Sequence, residues 1–370
     1  MNALLEVENL TVALPTASGY RNAVDGLSLS VAPGEVVGIA GESGSGKTMT
    51  ALSLFGLLPN GARVTGRACL DGTDLLALRG RALRDMRGRH VAMVSQDPSA
   101  ALHPILTIGT QLTEHMRHHL GVSKADALTR AAGLLETVRI PDPERALRSY
   151  PGQFSGGMRQ RIAIAIALAA EPRLLVADEP TTALDVTVQA GILRLLDRLC
   201  AERDMAVIVI THDLGVMSAL ARRVYVMYAG RLAEAGRTGT LLTRPRHPYT
   251  RGLLDALPHP EAARPGSDRA PLVPIGGTPP SLGAVPDGCP FHPRCAHAVP
   301  ACATDRPDPV PITDVSDSPE RVRLTAPTVI APGRGEASSP GPDGDQKAVT
   351  GSGRHLLACP PDPLREVVGS

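Results

Sequence analysis

The sequence predicts an α/β protein whose mostly parallel sheet carries an inserted helical subdomain and ends in an appendage rich in proline and cysteine. Short β-branched runs, among them 36–40, 174–178 and 207–211, alternate with longer helical patterns over the first two thirds of the chain. Between residues 98 and 170 the pattern is helical throughout. Beyond residue 240 proline becomes frequent and apolar periodicity fades.

Composition limits the class of protein. A chain of 370 residues is long enough for two domains, or for one domain with an appendage. The net charge of +1 argues against a surface that coats nucleic acid as the main activity. The N-terminal segment lacks the pattern of a signal peptide, and no apolar run reaches the length of a membrane span. We therefore expect a soluble, cytoplasmic protein, and in a reducing compartment clustered cysteines bind metal more often than they form disulfides.

A glycine-rich segment directly follows the strand predicted at 36–40. Its sequence, GESGSGKT, fits the phosphate-loop pattern G-x-x-x-x-G-K-[ST]. The glycines let backbone N–H groups turn inward around a β-phosphate, the lysine reaches the β- and γ-phosphates, and the threonine hydroxyl binds Mg²⁺. A coincidental glycine-rich turn is the alternative. The predicted nucleotide-binding residues are Gly41, Ser43, Gly44, Ser45, Gly46, Lys47 and Thr48.

Two carboxylates end the strand predicted at 174–178. The run LLVADEP places Asp178 and Glu179 at the carboxyl end of that strand, where ligands bind in open parallel sheets. We expect Asp178 to hold the Mg²⁺ shell and Glu179 to polarise the attacking water as a general base. Capping of the following helix is the alternative.

A second anion-binding helix N-terminus is predicted within FSGGMRQR, residues 154–161. Ser155, Gly156 and Gly157 open an apolar helix, and the free N–H groups at a helix start attract anions. Because the nucleotide already has its phosphate loop, these donors suit a nucleotide held by another subunit. An ordinary helix N-cap is the alternative.

The order and spacing of these motifs resemble those of the ATP-binding subunits of ABC transporters, over residues 5 to 240. The resemblance implies that Gln96, in VSQDPSAALHP, contacts Mg²⁺ or water and faces the membrane partner. It also implies that Asp185, in TTALD, crosses a dimer interface and that His212 contacts the γ-phosphate. The implied catalytic residues are Glu179, His212 and Gln96, and the implied Mg²⁺ ligands are Thr48, Gln96 and Asp178.

The adenine contact departs from the family pattern. ABC ATPases usually stack adenine on an aromatic side chain upstream of the phosphate-loop lysine. Tyr20 is the aromatic residue in that neighbourhood, and it falls slightly late in the alignment. We predict Tyr20 as the candidate adenine contact, with an ordinary loop tyrosine as the alternative.

The late part of the chain resembles a narrower group. RHPYTRGLLDALP, residues 246–258, taken with the phosphate loop, QDPSAALHP and the late cysteines, is similar to the ATP-binding subunits of bacterial oligopeptide, dipeptide and nickel importers. In that segment His247, Pro248 and Tyr249 are expected to be structural. The resemblance, which does not cover 331–353, implies an ABC nucleotide-binding domain with a mixed sheet core over 1–240 and an importer-type extension over 241–370. The Gly/Pro/Ser-rich composition of 331–353 predicts a flexible segment.

The same resemblance implies the function and the partners. We expect an ATPase that uses ATP and Mg²⁺ to drive peptide import from the cytoplasmic face of the inner membrane. The implied partners are a second ABC ATPase subunit, identical or different, two membrane permease subunits and, indirectly, an extracytoplasmic binding protein, with no nucleic acid. A non-transport ABC ATPase in repair, translation or regulation, and import of nickel or another small solute, are the alternatives.

Four cysteines mark the appendage: Cys289, Cys295, Cys302 and Cys359. Four thiolates suit tetrahedral Zn²⁺ or a [4Fe–4S] cluster. The C-x5-C-x6-C spacing of the first three is wider than that of zinc knuckles. Importer subunits that this tail resembles include members with a [4Fe–4S] cluster on matching cysteines, so the resemblance favours a structural cluster. Zn²⁺, or cysteines that are unligated or disulfide-bonded, are the alternatives.

Overall fold

The computed structural model describes residues 3–181, 186–257, 274–312 and 355–359. The strands in these ranges are β1 Leu5–Thr16, β2 Gly19–Val31, β3 Val36–Ala40, β4 Arg63–Leu70, β5 Thr73–Asp74, β6 Val91–Val94, β7 Leu174–Asp178, β8 Ala206–Thr211, β9 Arg223–Tyr228, β10 Arg231–Arg237, β11 Val310–Ile312 and β12 His355–Leu357. The helices are α1 Lys47–Leu54, α2 Gly80–Arg89, α3 Pro98–Ala101, α4 Ile108–Leu120, α5 Lys124–Thr137, α6 Pro143–Arg148, α7 Gly156–Leu168, α8 Val186–Arg203, α9 Leu214–Leu220, α10 Thr238–Thr243 and α11 Pro248–Asp255.

A mixed sheet lies at the centre of the fold. Its strand order within the described ranges is β11-β12-β10-β9-β3-β8-β7-β6. The five strands from β9 to β6 are parallel to one another, and β10, β12 and β11 join them in antiparallel pairs. The predicted α/β fold with a mixed sheet core is therefore confirmed. Because parallel strands all end at the same edge, the loops after β3, β6, β7 and β8 lie close together.

Both faces of the parallel strands are covered, which explains their continuous apolar sequences. Every residue of β3, β7 and β8 is buried. In β7, Leu175 and Ala177 join the core shared with the helices, whereas Leu174 and Val176 join the core under the second sheet. The alternation expected of a strand is therefore present, but with apolar side chains on both faces.

The second sheet is antiparallel, with the order β2-β1-β4-β5. Along β1, buried and exposed residues alternate only in part, because register shifts interrupt the pairing with β2 and β4. Leu5, Leu10 and Leu27 pack in one core with Ala51 and Leu54 of α1. This sheet therefore holds α1, and with it the loop that precedes α1, against the central sheet.

Helices α3 to α7 lie between β6 and β7 in sequence, as the predicted helical subdomain requires. Ile108, Leu112 and Met116, one helical turn apart on α4, are fully buried with Leu135 of α5 and Ile162 of α7. Thr107 caps α4 by accepting a hydrogen bond from the backbone N–H of Thr110, and left-handed Gly121 ends the helix. The described helices contain no segment long and apolar enough to cross a membrane.

The C-terminal region, which comprises residues 241–257, 274–312 and 355–359 of the described chain, packs on the end of the central sheet. Tyr249 of α11 is fully buried against Tyr228 of β9 and Phe291, with ring centroids 4.6 and 5.4 Å from the Tyr249 ring. The buried Glu234 carboxylate accepts the backbone N–H groups of Arg246 and His247. The boundary at 240/241 stays a prediction, and the segment 331–353 lies outside the described residues.

Stability should fall in mild acid because His247 is buried. Its Nδ1 accepts the backbone N–H of Tyr249, and burial lowers the pKa of His247 to about 4 although Glu234 opposes the shift. Since an unfolded histidine has a pKa of about 6.5, the unfolded chain binds the extra proton as the pH falls from 6.5 towards 4. We expect His247 to remove about 2 kcal/mol of unfolding free energy between pH 7.5 and 5.

Urea unfolding at the two pH values measures this loss. His247→Asn keeps a side-chain acceptor at the helix N-cap but does not titrate, so its loss between the two pH values should be smaller by that amount. His115, whose pKa burial also lowers to about 4, contributes equally to both proteins. An equal pH dependence in the two proteins would refute the assignment.

Candidate active site

The phosphate loop connects β3 to α1, and its first and last glycines lie against backbone atoms. Gly41 has φ 147°, and a Cβ there would lie 2.2 Å from the carbonyl oxygen of Met227. Gly46 has φ 102°, and its Cβ would lie 2.6 Å from the carbonyl oxygen of Ala23. Only glycine fits either position, so the loop is held between β2 and β9 by its backbone.

Lys47, the first residue of α1, is buried inside this loop. Its Nζ donates hydrogen bonds to the carbonyl oxygens of Gly41 and Glu42 at 2.7 and 2.8 Å. Burial lowers the pKa of Lys47, and the carboxylates of Glu179, Asp178 and Glu42 oppose that shift. The ammonium group therefore lies between a phosphate-binding loop and the two carboxylates at the end of β7.

Asp178 meets the requirements of a divalent-cation ligand. Its side chain is buried, and Oδ1 has no hydrogen-bond partner among the described residues. Burial raises the pKa of Asp178, whereas a hydrogen bond with the Thr48 side chain and the charge of Lys47 lower it. A buried carboxylate oxygen without a partner is costly unless a cation compensates it. Thr48 and Asp178 together thus fit Mg²⁺, which takes oxygen ligands.

Glu179 is held between two neighbouring strand ends. Gln96 Nε2 donates to Glu179 Oε2 at 3.0 Å, and His212 Nδ1 lies 3.1 Å from Glu179 Oε1. The Glu179 backbone has φ 47°, an uncommon conformation for a non-glycine residue, and its N–H donates to Ile210 O at 2.8 Å. Gln96, Glu179 and His212, predicted from three separate segments, therefore meet at one point.

The other predicted site residues lie apart from this group or outside the described residues. Ser155 caps α7 by accepting the Met158 N–H, and both Ser155 and Gly156 are exposed. Gly157 packs closely on α8, where a Cβ would lie 2.7 Å from Val188 Cγ1.

Tyr20 lies on the antiparallel sheet and donates its hydroxyl to Gly61 O at 3.1 Å. The Arg63 guanidinium covers one face of the ring at 3.8 Å from its centroid. Asp185 lies outside the described residues. The interface roles of the α7 N-terminus and Asp185, and the adenine contact of Tyr20, stay predictions.

Sequence reasoning missed two contacts that the C-terminal region makes with the phosphate loop. The Tyr249 hydroxyl accepts the backbone N–H of Glu42 at 2.8 Å. Arg294 forms a two-pronged ion pair with the Glu42 carboxylate, at 2.6 and 3.0 Å. No local pattern signals either contact, because each joins segments more than 200 residues apart.

The late cysteines gather in one region of the described structure. Cys289 is buried and donates its N–H to Cys302 O at 2.8 Å, and Cys295 and Cys302 border the same apolar cluster. Burial raises the pKa of the Cys289 and Cys295 thiols. Across the described ranges, which include Cys359, no three metal-ligating side chains are placed to hold an ion. The thiols are therefore not in a ligating arrangement, and within the described ranges none of these cysteines is in a disulfide.

Two family models match the chain. The model described as ABC transporter matches residues 24–182, which include the phosphate loop, Gln96 and Glu179. The model described as oligopeptide/dipeptide transporter, C-terminal region, matches residues 233–302, which include Tyr249 and Arg294. The two matches together include the phosphate loop, Gln96, Glu179 and the C-terminal residues that contact the loop, whereas His212 lies between them.

Individual relatives agree with these matches. The chain is 46% identical over 301 residues to the oligopeptide transport ATP-binding protein OppD of Salmonella typhimurium, covering 81% of this chain and 88% of the relative. It is 48% identical over 304 residues to the dipeptide transport ATP-binding protein DppD of Bacillus subtilis, covering 82% and 89%. A dimeric post-hydrolysis structure of the ATP-binding cassette MJ0796 with ADP and phosphate aligns with a TM-score of 0.57 and 28% identity, covering 63% of this chain and 98% of that one. The chain therefore belongs to the ATP-binding subunits of ABC transporters.

Proposed function

We propose that this chain is the ATP-hydrolysing subunit of a peptide importer, bound at the cytoplasmic face of a bacterial inner membrane. The observation that carries the proposal is the grouping of Glu179 with Gln96 and His212 beside Lys47 and the phosphate loop. Peptides are the favoured cargo because the relatives over four fifths of the chain are named for oligopeptide and dipeptide transport. Nickel or another small solute is the alternative cargo.

The geometry supports a hydrolytic mechanism. Inward-facing N–H groups of the loop and Lys47 hold the ATP phosphates. Thr48, Gln96 and Asp178 would hold Mg²⁺, which would supply positive charge against the charge that develops on the phosphates. Glu179 accepts a proton from water as the water oxygen attacks the γ-phosphorus, and ADP leaves. Gln96 and His212 orient the Glu179 carboxylate, and His212 lies at the exposed side of the group, where it can reach the γ-phosphate.

The site is completed, in this proposal, by the α7 N-terminus of another ATPase subunit. The exposed N-terminal turn of this 13-residue helix presents Ser155 and Gly156 to solvent. A helix N-terminus attracts anions, and a phosphate held across the interface would bring two subunits together. Closure and reopening of the pair would move two bound permease subunits, and Asp185 would lie at that interface.

Purification from membranes tests the proposed role. The tagged chain should co-purify with an ATPase partner and two permease subunits, and their ATPase rate should rise when an extracytoplasmic binding protein loaded with peptide is added. A chain that purifies alone from the soluble fraction, with an ATPase rate indifferent to membranes and peptide, would favour a non-transport ABC ATPase instead.

We also propose that the four late cysteines hold one structural [4Fe–4S] cluster, with Zn²⁺ as the alternative. The supporting observation is their convergence: Ala358, next to Cys359, donates to Ala233 O and lines the same small cavity as Cys289. Ligation requires the thiols to lose their protons and move together. No step of ATP hydrolysis passes through this group.

Metal content decides this proposal. Anaerobically purified protein should be brown and contain about four irons per chain, and Cys289→Ser should lower the iron content. Colourless wild-type protein with stoichiometric zinc would replace the cluster with its alternative, and protein without metal would refute both.

A further inference from the structure

The contact between the C-terminal region and the phosphate loop is a nearly buried ion pair. Arg294 Nη1 lies 2.6 Å from Glu42 Oε2, and Nη2 lies 3.0 Å from Oε1. The Arg294 side chain is 5% exposed and that of Glu42 is 24% exposed. Paired hydrogen bonds between a guanidinium and a carboxylate fix both charge and orientation. Glu42 therefore has one side-chain position, set from outside the nucleotide-binding core.

Arg294 is also held in place by contacts other than those with Glu42. Its Nε donates to Gly276 O at 2.8 Å, and Nη1 also donates to the Tyr228 hydroxyl at 3.2 Å. The guanidinium carbon lies 5.8 Å from the Tyr228 ring centroid and 5.9 Å from that of Phe291. The hydrogen bonds to Glu42 raise the pKa of Arg294, so the cation is present at every physiological pH.

The position of Glu42 makes this pairing matter for nucleotide binding. Glu42 is the second residue of the phosphate loop, and its backbone oxygen accepts a hydrogen bond from Lys47 Nζ at 2.8 Å. An unpaired carboxylate at this position would repel a polyphosphate and compete with it for the Lys47 cation. Because Glu42 lies within the loop, pairing its carboxylate with Arg294 should favour phosphate binding.

We propose that Arg294 is a positioning residue for ATP binding: it neutralises and holds the Glu42 side chain, so that the C-terminal region sets the affinity of the phosphate loop for ATP. Tyr249 assists by fixing the Glu42 backbone N–H. The inference rests on the proposed function in one respect, that this loop binds ATP. The C-terminal region would thereby act on the nucleotide through Glu42.

Calorimetric titration of the full-length chain with MgATP tests the inference. Arg294→Met removes the cation and keeps much of the side-chain volume, and we expect the ATP dissociation constant to rise about tenfold. Arg294→Lys keeps the charge but loses the two-pronged geometry, and should lie between wild type and Arg294→Met. The loss should shrink at high salt, since part of it is charge repulsion.

A double-mutant cycle separates the action through Glu42 from a general loss of structure. In a Glu42→Gln background no carboxylate remains to be neutralised, so adding Arg294→Met should change the dissociation constant less than twofold. Asp308→Asn is the matched control: it breaks the 2.6 Å pair with Arg231, which also ties the C-terminal region to the domain but includes no residue of the phosphate loop. It should leave ATP affinity unchanged.

Two results would overturn the inference. One is an ATP affinity of Arg294→Met within twofold of wild type; the other is an equal tenfold loss in the Glu42→Gln background, which would make the role of Arg294 structural. Melting temperatures of all variants identify any that are unfolded. Failure of the wild type to bind ATP would refute the proposed function itself, and is thereby distinguishable from failure of the inference.

Discussion

Glu179→Gln is expected to lower the ATPase rate of the reconstituted assembly by about 10²- to 10⁴-fold, the range that general bases contribute. The change removes proton acceptance and little else. A glutamine amide can still accept from Gln96 Nε2 through its oxygen and donate to His212 Nδ1 through its nitrogen, replacing the contacts at 3.0 and 3.1 Å. ATP should therefore bind normally and remain unhydrolysed, which would trap the proposed pair of subunits with ATP bound.

Phosphate release measures the loss of hydrolysis, and retention of labelled ATP measures the binding that should remain. Glu171→Gln provides a matched control, because Glu171 follows α7 and its exposed side chain contacts only Arg130 among the described ion pairs. That variant should keep the wild-type rate. Near-normal hydrolysis by Glu179→Gln, in an assembly with its partners, would remove Glu179 from the role of general base.

Lys47→Ala is expected to weaken MgATP binding by at least about 100-fold, since truncating one partner of a buried charge cluster costs several kcal/mol. The loss has two causes. The phosphates lose their cation, and the carboxylates of Asp178 and Glu179, which Lys47 offsets, are left to repel them.

The same titration that tests Arg294 measures this loss. Lys124→Ala, at the exposed start of α5, removes an equal charge far along the chain from the loop and should bind ATP as the wild type does. A folded Lys47→Ala protein that binds ATP within threefold of wild type would contradict the assignment of Lys47.

Much of the fold could be predicted because its signals are local. Parallel strands covered on both faces have continuous apolar runs, as at 174–178, and the phosphate loop needs glycines where Gly41 and Gly46 approach backbone. The antiparallel sheet was not anticipated, because register shifts in β1 interrupt the alternation that marks a half-buried strand.

The residues of the candidate site likewise differ in whether a local sequence pattern could predict them. Asp178 and Glu179 could be placed from their position at a strand end, whereas the roles of Gln96 and His212 depended on family resemblance, since a single polar residue after a strand carries little information. The Glu42–Arg294 pair spans 252 positions and joins a loop to a proline-rich segment. Neither segment has a hydrophobic periodicity from which the pairing could be predicted. The cysteine spacing indicated a shared site, but spacing alone cannot place the thiols at ligating distance.

Transport by the purified assembly in lipid vesicles tests the central claim, that ATP hydrolysis at Glu179 drives peptide import. Labelled oligopeptide, its binding protein and an ATP supply on the face that carries this chain are the components. We predict uptake that requires ATP, rises together with the ATPase rate and stops with Glu179→Gln but not with Glu171→Gln. ATP hydrolysis that proceeds without peptide uptake, or uptake that persists with Glu179→Gln, would contradict the account.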